Sequence, residues 1–278
     1  MRAFRIAYDG TSYFGYQRQP DVPTVEGELF AALARLGVHD TDDSRPAGYA
    51  AAGRTDAGVS AVAQTVALDA PEWLTPRALN GELPADVRAW ASADAPADFH
   101  ARHDATRRGY AYHLHAPDAN VERASRVLDR LSGTHDFHNL TPDDEGTRRT
   151  LDAALDVEGP YLVVRVESPG FARQLVRRIV GLVADVARGE REVAVVDRAL
   201  SGEVLSGPEG VAPAPPEPLV LTRVTYPDLD FVVDERAAES VEGVFEARRV
   251  ERLTGARVAA TVLEGVSGGP RRSDDEIV

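Results

Sequence analysis

Two patterns of apolar and polar residues alternate along the first part of the chain. Phe4, Ile6 and Tyr8 recur with a period of two, as on one face of a strand, and an Asp-Gly pair follows them. Residues 24–37 then carry apolar side chains at helical spacing, and this pattern stops at Gly37. The N-terminal segment is therefore predicted to form a strand followed by a helix.

The same patterns continue toward the C-terminus. Strands are predicted at 62–69, 86–94, 107–115, 149–159, 161–168 and 218–226, and helices at 74–83, 121–133 and 171–189. The connections are too short and irregular for a regular parallel β-α-β series, so the pattern predicts an α+β fold with antiparallel sheets. A boundary near residue 105 separates an N-terminal half, 1–105, from a C-terminal half, 106–278. The latter ends in a charged helical extension from about residue 234, and its polar last residues, 267–278, are expected to fray.

The stretch AAGRTDAGVSA, residues 51–61, places Arg54 and Asp56 between glycines directly before a predicted strand. Taken alone, it is typical of a turn, because glycine permits positive φ and Asp caps its own backbone. The alternative is a mount for a catalytic carboxylate, since a glycine lets a substrate approach the backbone closely. Both interpretations leave Asp56 at the end of a strand, with Arg54 two residues before it.

The predicted helix at 171–189 carries Arg173 and Arg177 at positions i and i+4 among apolar residues. An arginine left unpaired in a hydrophobic core is strongly destabilising. One interpretation is an arginine that extends along the rim of the core to reach solvent. The other is a buried guanidinium that pairs with a carboxylate from elsewhere in the chain, and Asp56 is the natural candidate.

Charge is distributed unevenly along the sequence. The chain has 31 basic and 45 acidic residues, a net charge of −14, and contains no lysine. An acidic total argues against a nucleic-acid partner, because phosphate neutralisation supplies much of the affinity in such binding. Arginines nevertheless concentrate in residues 100–110, 147–150 and 171–178, which leaves room for a basic groove on an acidic body. The composition also suggests a salt-rich cytoplasm; the alternative is a codon bias that replaces Lys with Arg.

Composition disfavours several classes of site. The chain has no cysteine, which removes disulfides, thiolate nucleophiles and Cys-based zinc sites. No apolar run is long enough for a membrane helix, and the N-terminus alternates like a strand rather than a signal peptide, so a cytoplasmic location is expected. His100, His103, His113 and His115 invite a metal-site interpretation, but no carboxylate or Cys completes a familiar ligand spacing. No metal and no membrane partner are predicted.

Seven motifs occur in a characteristic order, and together they cover about residues 1–230. They are YDGTSYFGYQRQP (8–20), GRTDAGVSA (53–61), LNGELPADV (79–87), FHARHDATRRGYAY (99–112), LSGTHDFHNL (131–140), FARQLVRRIVG (171–181) and PPEPLVLTRVTYP (215–227). In this order the motifs resemble the TruA family of tRNA pseudouridine synthases, and GRTDAGV is the most specific of them. The chain departs from the family pattern at Tyr16 in place of Trp, Ser60 in place of His, and Gln174-Leu175 in place of His-Met. None of these departures removes a catalytic group.

The resemblance implies a role for several residues. Asp56 matches the catalytic aspartate, Arg54 the arginine associated with displacing the target base, Tyr110 the tyrosine that stacks on the flipped uracil, and Arg177 the helix arginine that pairs with the aspartate. Phosphate contacts of the RNA would come from a group of arginines, namely Arg102, Arg107, Arg108, Arg148 and Arg149.

The resemblance also implies a fold and a reaction. The fold would be two ferredoxin-like (RRM-like) halves joined in one extended antiparallel sheet, with helices on one side and a central RNA-binding cleft. The enzyme would be a homodimer that binds the anticodon arm of tRNA and isomerises uridine at positions 38, 39 and/or 40, without a metal or nucleotide cofactor. A non-catalytic RNA-binding protein and a metal-dependent hydrolase built on the histidines are the alternatives.

Overall fold

A computed structural model describes residues 1–268. In this part of the chain ten strands form one mostly antiparallel sheet. The strands are β1 (Arg2–Tyr8), β2 (Ala50–Ala51), β3 (Ser60–Leu68), β4 (Val87–Asp94), β5 (Arg107–His115), β6 (Gly133–Asp136), β7 (Arg148–Glu158), β8 (Tyr161–Ser168), β9 (Leu219–Thr225) and β10 (Val232–Val233). The helices are α1 (Val25–Arg35), α2 (Pro76–Asn80), α3 (Val121–Leu131), α4 (Leu175–Ala187), α5 (Val195–Ala199) and α6 (Glu235–Gly268).

The sheet order is β10-β4-β1-β3-β9-β5-β8-β7-β6, with β2 paired to β3. The predicted antiparallel sheet is therefore confirmed except at one place, because β3 and β9 run parallel and pair at Ser60 with Val220 and at Ala61 with Leu221. On its other side β9 is antiparallel to β5. Since β3 and β5 point in opposite directions, a strand inserted between them must be parallel to one of the two.

Helix boundaries follow local capping. Thr24 caps α1 by accepting a hydrogen bond from the Gly27 amide at 3.2 Å, and Thr75 caps α2, which has Pro76 in its first turn. The helix predicted from residue 171 begins only at Leu175, because Gln174 adopts a left-handed conformation with φ 58°.

Arg173, the residue before Gln174, is held outside the helix. The Arg173 amide donates to the Asp143 carboxylate at 2.8 Å, and the Arg173 carbonyl accepts from the Thr141 hydroxyl at 2.9 Å. The predicted i, i+4 relation of Arg173 and Arg177 on one helix is therefore wrong.

Two hydrophobic cores lie in the described part of the chain. The first is built around Phe4, Ile6 and Tyr8 on β1, and the second around β5, β8 and α4. The division does not follow chain order. Leu221 and Val224 of β9 belong to the first core, whereas most of the buried apolar residues after 105 belong to the second. A strand from the C-terminal half of the chain thus completes the hydrophobic core of the N-terminal half.

The C-terminal extension also packs on the N-terminal half. Strand β10 pairs with β4, and helix α6 lies against β4 and α2. The predicted helix from about residue 234 is confirmed, and it spans 34 residues. Residues 269–278, most of the segment predicted to fray, lie outside the described residues. Within residues 1–268, none of the helices combines the length and the apolar character required to cross a bilayer.

Candidate active site

Asp56 lies in the loop between β2 and β3, in the turn that the sequence indicated. The Val59 amide donates to the Asp56 carbonyl at 3.2 Å, and Gly58 adopts a positive φ of 83°. The loop is anchored on both sides of the turn, because the Tyr8 and Thr55 hydroxyls are 2.8 Å apart and the Gln64 amide donates to the Gly53 carbonyl at 2.9 Å. These anchors fix the backbone while the Asp56 carboxylate remains about one-third exposed.

Two glycines bring a second loop, residues 9–16, against the Asp56 loop. A Cβ atom on Gly10 would lie 2.1 Å from the Val59 carbonyl oxygen, and one on Gly15 would lie 3.1 Å from the Thr55 carbonyl oxygen. The Tyr16 amide also donates to the Thr55 carbonyl at 3.0 Å. Only glycine fits these positions. The sequence indicated Gly10 only as part of the Asp-Gly pair after the first strand, and it indicated no role for Gly15.

Arg177 pairs with Asp56 across the two halves of the chain. Its Nη1 atom lies 3.1 Å from Asp56 Oδ2, and its side chain is only 14% exposed. The guanidinium Nε donates to the Ala214 carbonyl at 2.7 Å, and the Ala214 amide donates back to the Arg177 carbonyl at 2.9 Å. The arginine is thus held by the 211–214 segment in the position where it meets the carboxylate. The contact places a largely buried cation directly beside the Asp56 carboxylate.

Tyr110 on β5 provides an aromatic ring beside this pair. The ring is half-buried and packs edge-to-face on Phe171, with centroids 5.1 Å apart and planes at 89°. Burial raises the pKa of Tyr110 to about 12, with a further increase from the Asp56 charge and an opposing effect of Arg108. The phenol is therefore neutral at neutral pH. Arg54 is exposed at the surface of the same loop that carries Asp56.

Two of the arginines predicted to contact RNA are committed to protein partners. Arg107 forms ion pairs with Glu167, at 2.6 Å, and with Asp152. Arg108 is half-buried, and its guanidinium donates to the carbonyls of Arg102 at 2.6 Å, Pro169 at 2.7 Å and Ala52 at 2.8 Å. Arg108 therefore supports the backbone that leads into the Asp56 loop. Sequence reasoning missed this role because Ala52 and Pro169 are distant from Arg108 in the chain.

Two of the other three arginines are more accessible. Arg102 and Arg148 are exposed, and Arg149 is half-buried with its Nη1 atom 3.0 Å from the Arg148 carbonyl. The histidines separate into two places, because the His100 and His103 rings lie 4.2 Å apart while His115 packs on Tyr161. Within residues 1–268 no three His, Asp or Glu side chains come together as metal ligands would.

Comparison with known proteins decides the family. Residues 127–227 match a family model described as tRNA pseudouridine synthase. The chain is 62% identical over 264 residues to tRNA pseudouridine synthase A of Natronomonas pharaonis, covering 94% of this chain and 98% of that protein. The chain belongs to the tRNA pseudouridine synthase A (TruA) family. It is an isomerase that acts on uridine in tRNA, as the resemblance implied.

Other TruA proteins show the same coverage. Identity is 56% over 276 residues to the Haloarcula marismortui protein, covering 96% of this chain and 100% of that one. It is 56% over 261 residues to a Halobacterium salinarum protein, covering 93% and 97%. All three relatives come from halophilic archaea, which supports the salt-rich cytoplasm that the composition suggests. Among solved structures, a protein of an archaeal box H/ACA sRNP complex gives a TM-score of 0.29 at 11% identity over 66% of this chain and 53% of that one, which is too low to indicate a shared fold.

Proposed function

We propose that this TruA-family chain isomerises uridine at positions 38, 39 and/or 40 in the anticodon stem-loop of tRNA, with Asp56 as the catalytic residue. The observation that carries this proposal is the Asp56–Arg177 ion pair at 3.1 Å, beside the ring of Tyr110. A carboxylate on an anchored loop, paired with a largely buried cation, has the geometry that this reaction requires.

The reaction breaks the N1–C1′ bond of uridine, rotates the freed uracil and forms a C5–C1′ bond. The proton lost from C5 is balanced by the proton gained at N1, so there is no net redox change and no need for a cofactor. The ionised Asp56 would attack or stabilise C1′, remove the 2′ proton on the way to a glycal, or add to C6 of the base. Each route needs the charged carboxylate, and Arg177 is the cation that pairs with it.

The target uridine must leave the helical stack to reach Asp56, and unstacking costs a few kcal/mol. Stacking of a base on an aromatic ring contributes about 1–3 kcal/mol, which offsets part of this cost. Tyr110 would provide that ring. The exposed Arg54, two residues from Asp56, would occupy the position vacated by the base.

Backbone contacts would come from arginines around the site, because structured RNA is recognised largely by shape and phosphates. Arg102, Arg148 and Arg149 would bind phosphate, whereas the contacts of Arg107 and Arg108 within the protein support a structural role. The two hydrophobic cores and the parallel β3–β9 junction support the predicted two ferredoxin-like halves with an RNA-binding cleft between them. The active enzyme would be a cytoplasmic homodimer.

Substitution of Asp56 with Asn tests the assignment. The amide retains the shape of the side chain but has no negative charge, so pseudouridine formation in anticodon-arm tRNA should be abolished while tRNA binding persists. Activity is measured by mapping pseudouridine at each tRNA position, and binding by titration with labelled tRNA. Asp118→Asn, an exposed carboxylate in the turn before α3, is the matched control and should retain full activity. Normal turnover by Asp56→Asn would contradict the proposal.

A further inference from the structure

The loop of residues 9–16 presents an aromatic ring to solvent directly beside the Asp56 loop. Phe14 is 58% exposed, although burying a phenylalanine side chain would stabilise the fold by about 1.5–3 kcal/mol. The next residue, Gly15, packs so closely that a Cβ atom there would lie 3.5 Å from the Asp56 carbonyl carbon. The ring therefore projects from backbone that contacts the catalytic loop.

The backbone of Phe14 is held on both sides. Its amide donates to the Pro23 carbonyl at 2.9 Å, and its carbonyl accepts from the Gln19 side chain at 3.0 Å. The preceding residue, Tyr13, donates its hydroxyl to the Asp86 carboxylate at 2.8 Å. Fixing an aromatic ring in advance reduces the entropy that a ligand must overcome when it stacks on the ring.

The start of the same loop is attached to the C-terminal helix through a buried carboxylate. Asp9 is 2% exposed, and its Oδ2 atom accepts from Arg248 at 2.7 Å and from Arg252 at 2.5 Å. Its Oδ1 atom accepts from the Thr11 amide at 3.1 Å and the Thr11 hydroxyl at 2.7 Å. Arg248 also reaches Asp86, at 3.4 Å. We call Asp9, Asp86, Arg248 and Arg252 the α6 cluster.

Ion pairs between the Asp9 carboxylate and two arginines hold the α6 cluster together. Burial acts to raise the pKa of Asp9, but the Thr11 hydrogen bonds and the two guanidinium groups outweigh it and hold the pKa below the ordinary value. Removing a partner from a buried charge is strongly destabilising locally, because the remaining charge is left without compensation. Loss of an arginine from α6 is thus expected to loosen the loop that carries Phe14.

We propose that Phe14 is a stacking site for an unpaired nucleobase next to the reacting uridine, and that the α6 cluster holds it in position. This inference rests on the proposed function, since the ligand is the RNA segment around the target base. A flipped uridine leaves its neighbours partly unstacked, and an aromatic ring recovers stacking energy from any base regardless of its sequence. The C-terminal extension thereby contributes to substrate positioning, through Arg248 and Arg252 as positioning residues.

Paired changes in protein and RNA test the stacking site. Phe14→Ala should lower kcat/KM about tenfold, whereas Phe14→Tyr should retain most of the wild-type kcat/KM. Anticodon-arm RNAs that each carry one abasic nucleotide beside the target should reveal which base stacks on Phe14. At that nucleotide the wild type should lose about tenfold, and Phe14→Ala should lose nothing further. If the losses in kcat/KM from Phe14→Ala and from the abasic nucleotide multiplied at every position tested, the proposal that Phe14 is a stacking site would be overturned. Wild-type enzyme without any pseudouridine formation would instead overturn the proposed function.

Trp73→Ala provides the control for loss of an exposed aromatic. Trp73 is 54% exposed. Arg2, at the start of β1, donates hydrogen bonds to the carbonyls of Glu72 and Leu74, the two residues that flank Trp73. The loop with Phe14 follows the other end of this seven-residue strand, which at about 3.3 Å per residue is roughly 20 Å away. Trp73→Ala should therefore keep the wild-type kcat/KM and the wild-type response to abasic RNA.

The α6 cluster is tested by Arg248→Gln, with Arg249→Gln as the matched control. Arg249 is the next residue on α6 but pairs with Glu246 in solvent. Arg248→Gln should reduce kcat/KM severalfold and reduce the abasic penalty, whereas Arg249→Gln should change neither. Arg252→Gln, at the more exposed position, serves the same purpose if Arg248→Gln does not fold. A folded variant that keeps the full abasic penalty would show that the α6 cluster does not position Phe14.

Discussion

At the scale of single residues, the site separates a charged group from a neutral one. Asp56 forms an ion pair with Arg177, while burial raises the pKa of Tyr110 to about 12. With that pKa only about 10⁻⁵ of the phenol is ionised at pH 7. Tyr110 is therefore poorly suited to remove a proton as a phenolate, and its flat ring is the feature that the substrate can use.

We expect Tyr110→Phe to keep activity within about threefold of the wild type, because the stacking surface is retained. Tyr110→Ala should lose at least about tenfold, since one stacked base is worth about 1–3 kcal/mol and 1.4 kcal/mol corresponds to a factor of ten. Single-turnover rates of pseudouridine formation measure both effects. Equal losses in the two variants would instead assign the main role to the hydroxyl, as a group that helps to remove the C5 proton.

The residues that sequence reasoning identified and those that it missed differ in a physical way. Asp56 and Arg177 lie in local patterns that were unusual by themselves, namely a charged residue between glycines and an arginine in an apolar helix. Arg108 and Asp9 have ordinary surroundings in the sequence. Their roles come from partners far along the chain, since Arg108 supports Ala52 and Asp9 pairs with residues of α6.

At the scale of elements, α4 is positioned by a contact that only glycine permits. A Cβ atom on Gly181 would lie 2.3 Å from the Ala212 carbonyl oxygen. One helical turn earlier, Arg177 forms two hydrogen bonds with Ala214: the Arg177 side chain donates to the Ala214 carbonyl, and the Arg177 carbonyl accepts from the Ala214 amide. The close packing of α4 on the 211–214 segment thus sets the position of the arginine that meets Asp56.

We expect Gly181→Ala to destabilise the protein by about 1–3 kcal/mol, because an added methyl group must displace the backbone of the 211–214 segment. Activity should fall as well, since Arg177 is anchored to that segment. Urea unfolding and initial rates measure the two effects. Gly243→Ala in α6 is the matched control: nothing lies within 4 Å of the added Cβ, so a gain of about 0.5–1 kcal/mol is expected from the backbone alone. Wild-type stability in Gly181→Ala would contradict this account of α4.

Most strands and helices follow from local periodicity, but their arrangement does not. The parallel pairing of β3 and β9 and the packing of β10 on β4 join residues that are far apart in the chain, and a periodicity of two does not encode a partner. The start of α4 was missed for a related reason. Residues 171–174 continue the apolar pattern of the helix, yet tertiary contacts of Arg173 with Asp143 and Thr141 hold them outside it.

At the scale of the whole molecule, the dominant feature is the excess of acidic residues. The net charge of −14 destabilises the compact state through self-repulsion. Salt weakens this repulsion, because the screening length falls from about 10 Å at 0.1 M to about 3 Å at 1 M. The Asp9 and Asp56 ion pairs lie partly or wholly out of solvent, so they are screened less than the exposed carboxylates.

We therefore expect the melting temperature to rise steeply with KCl between about 0.1 and 1 M, as the repulsion is screened. A variant with less negative charge provides the control. Asp144 and Glu145 are exposed in one acidic cluster, and the double change Asp144→Asn, Glu145→Gln should melt at a higher temperature in low salt and respond less to KCl. A melting temperature that is independent of KCl in both proteins would favour codon bias, rather than salt adaptation, as the origin of the composition.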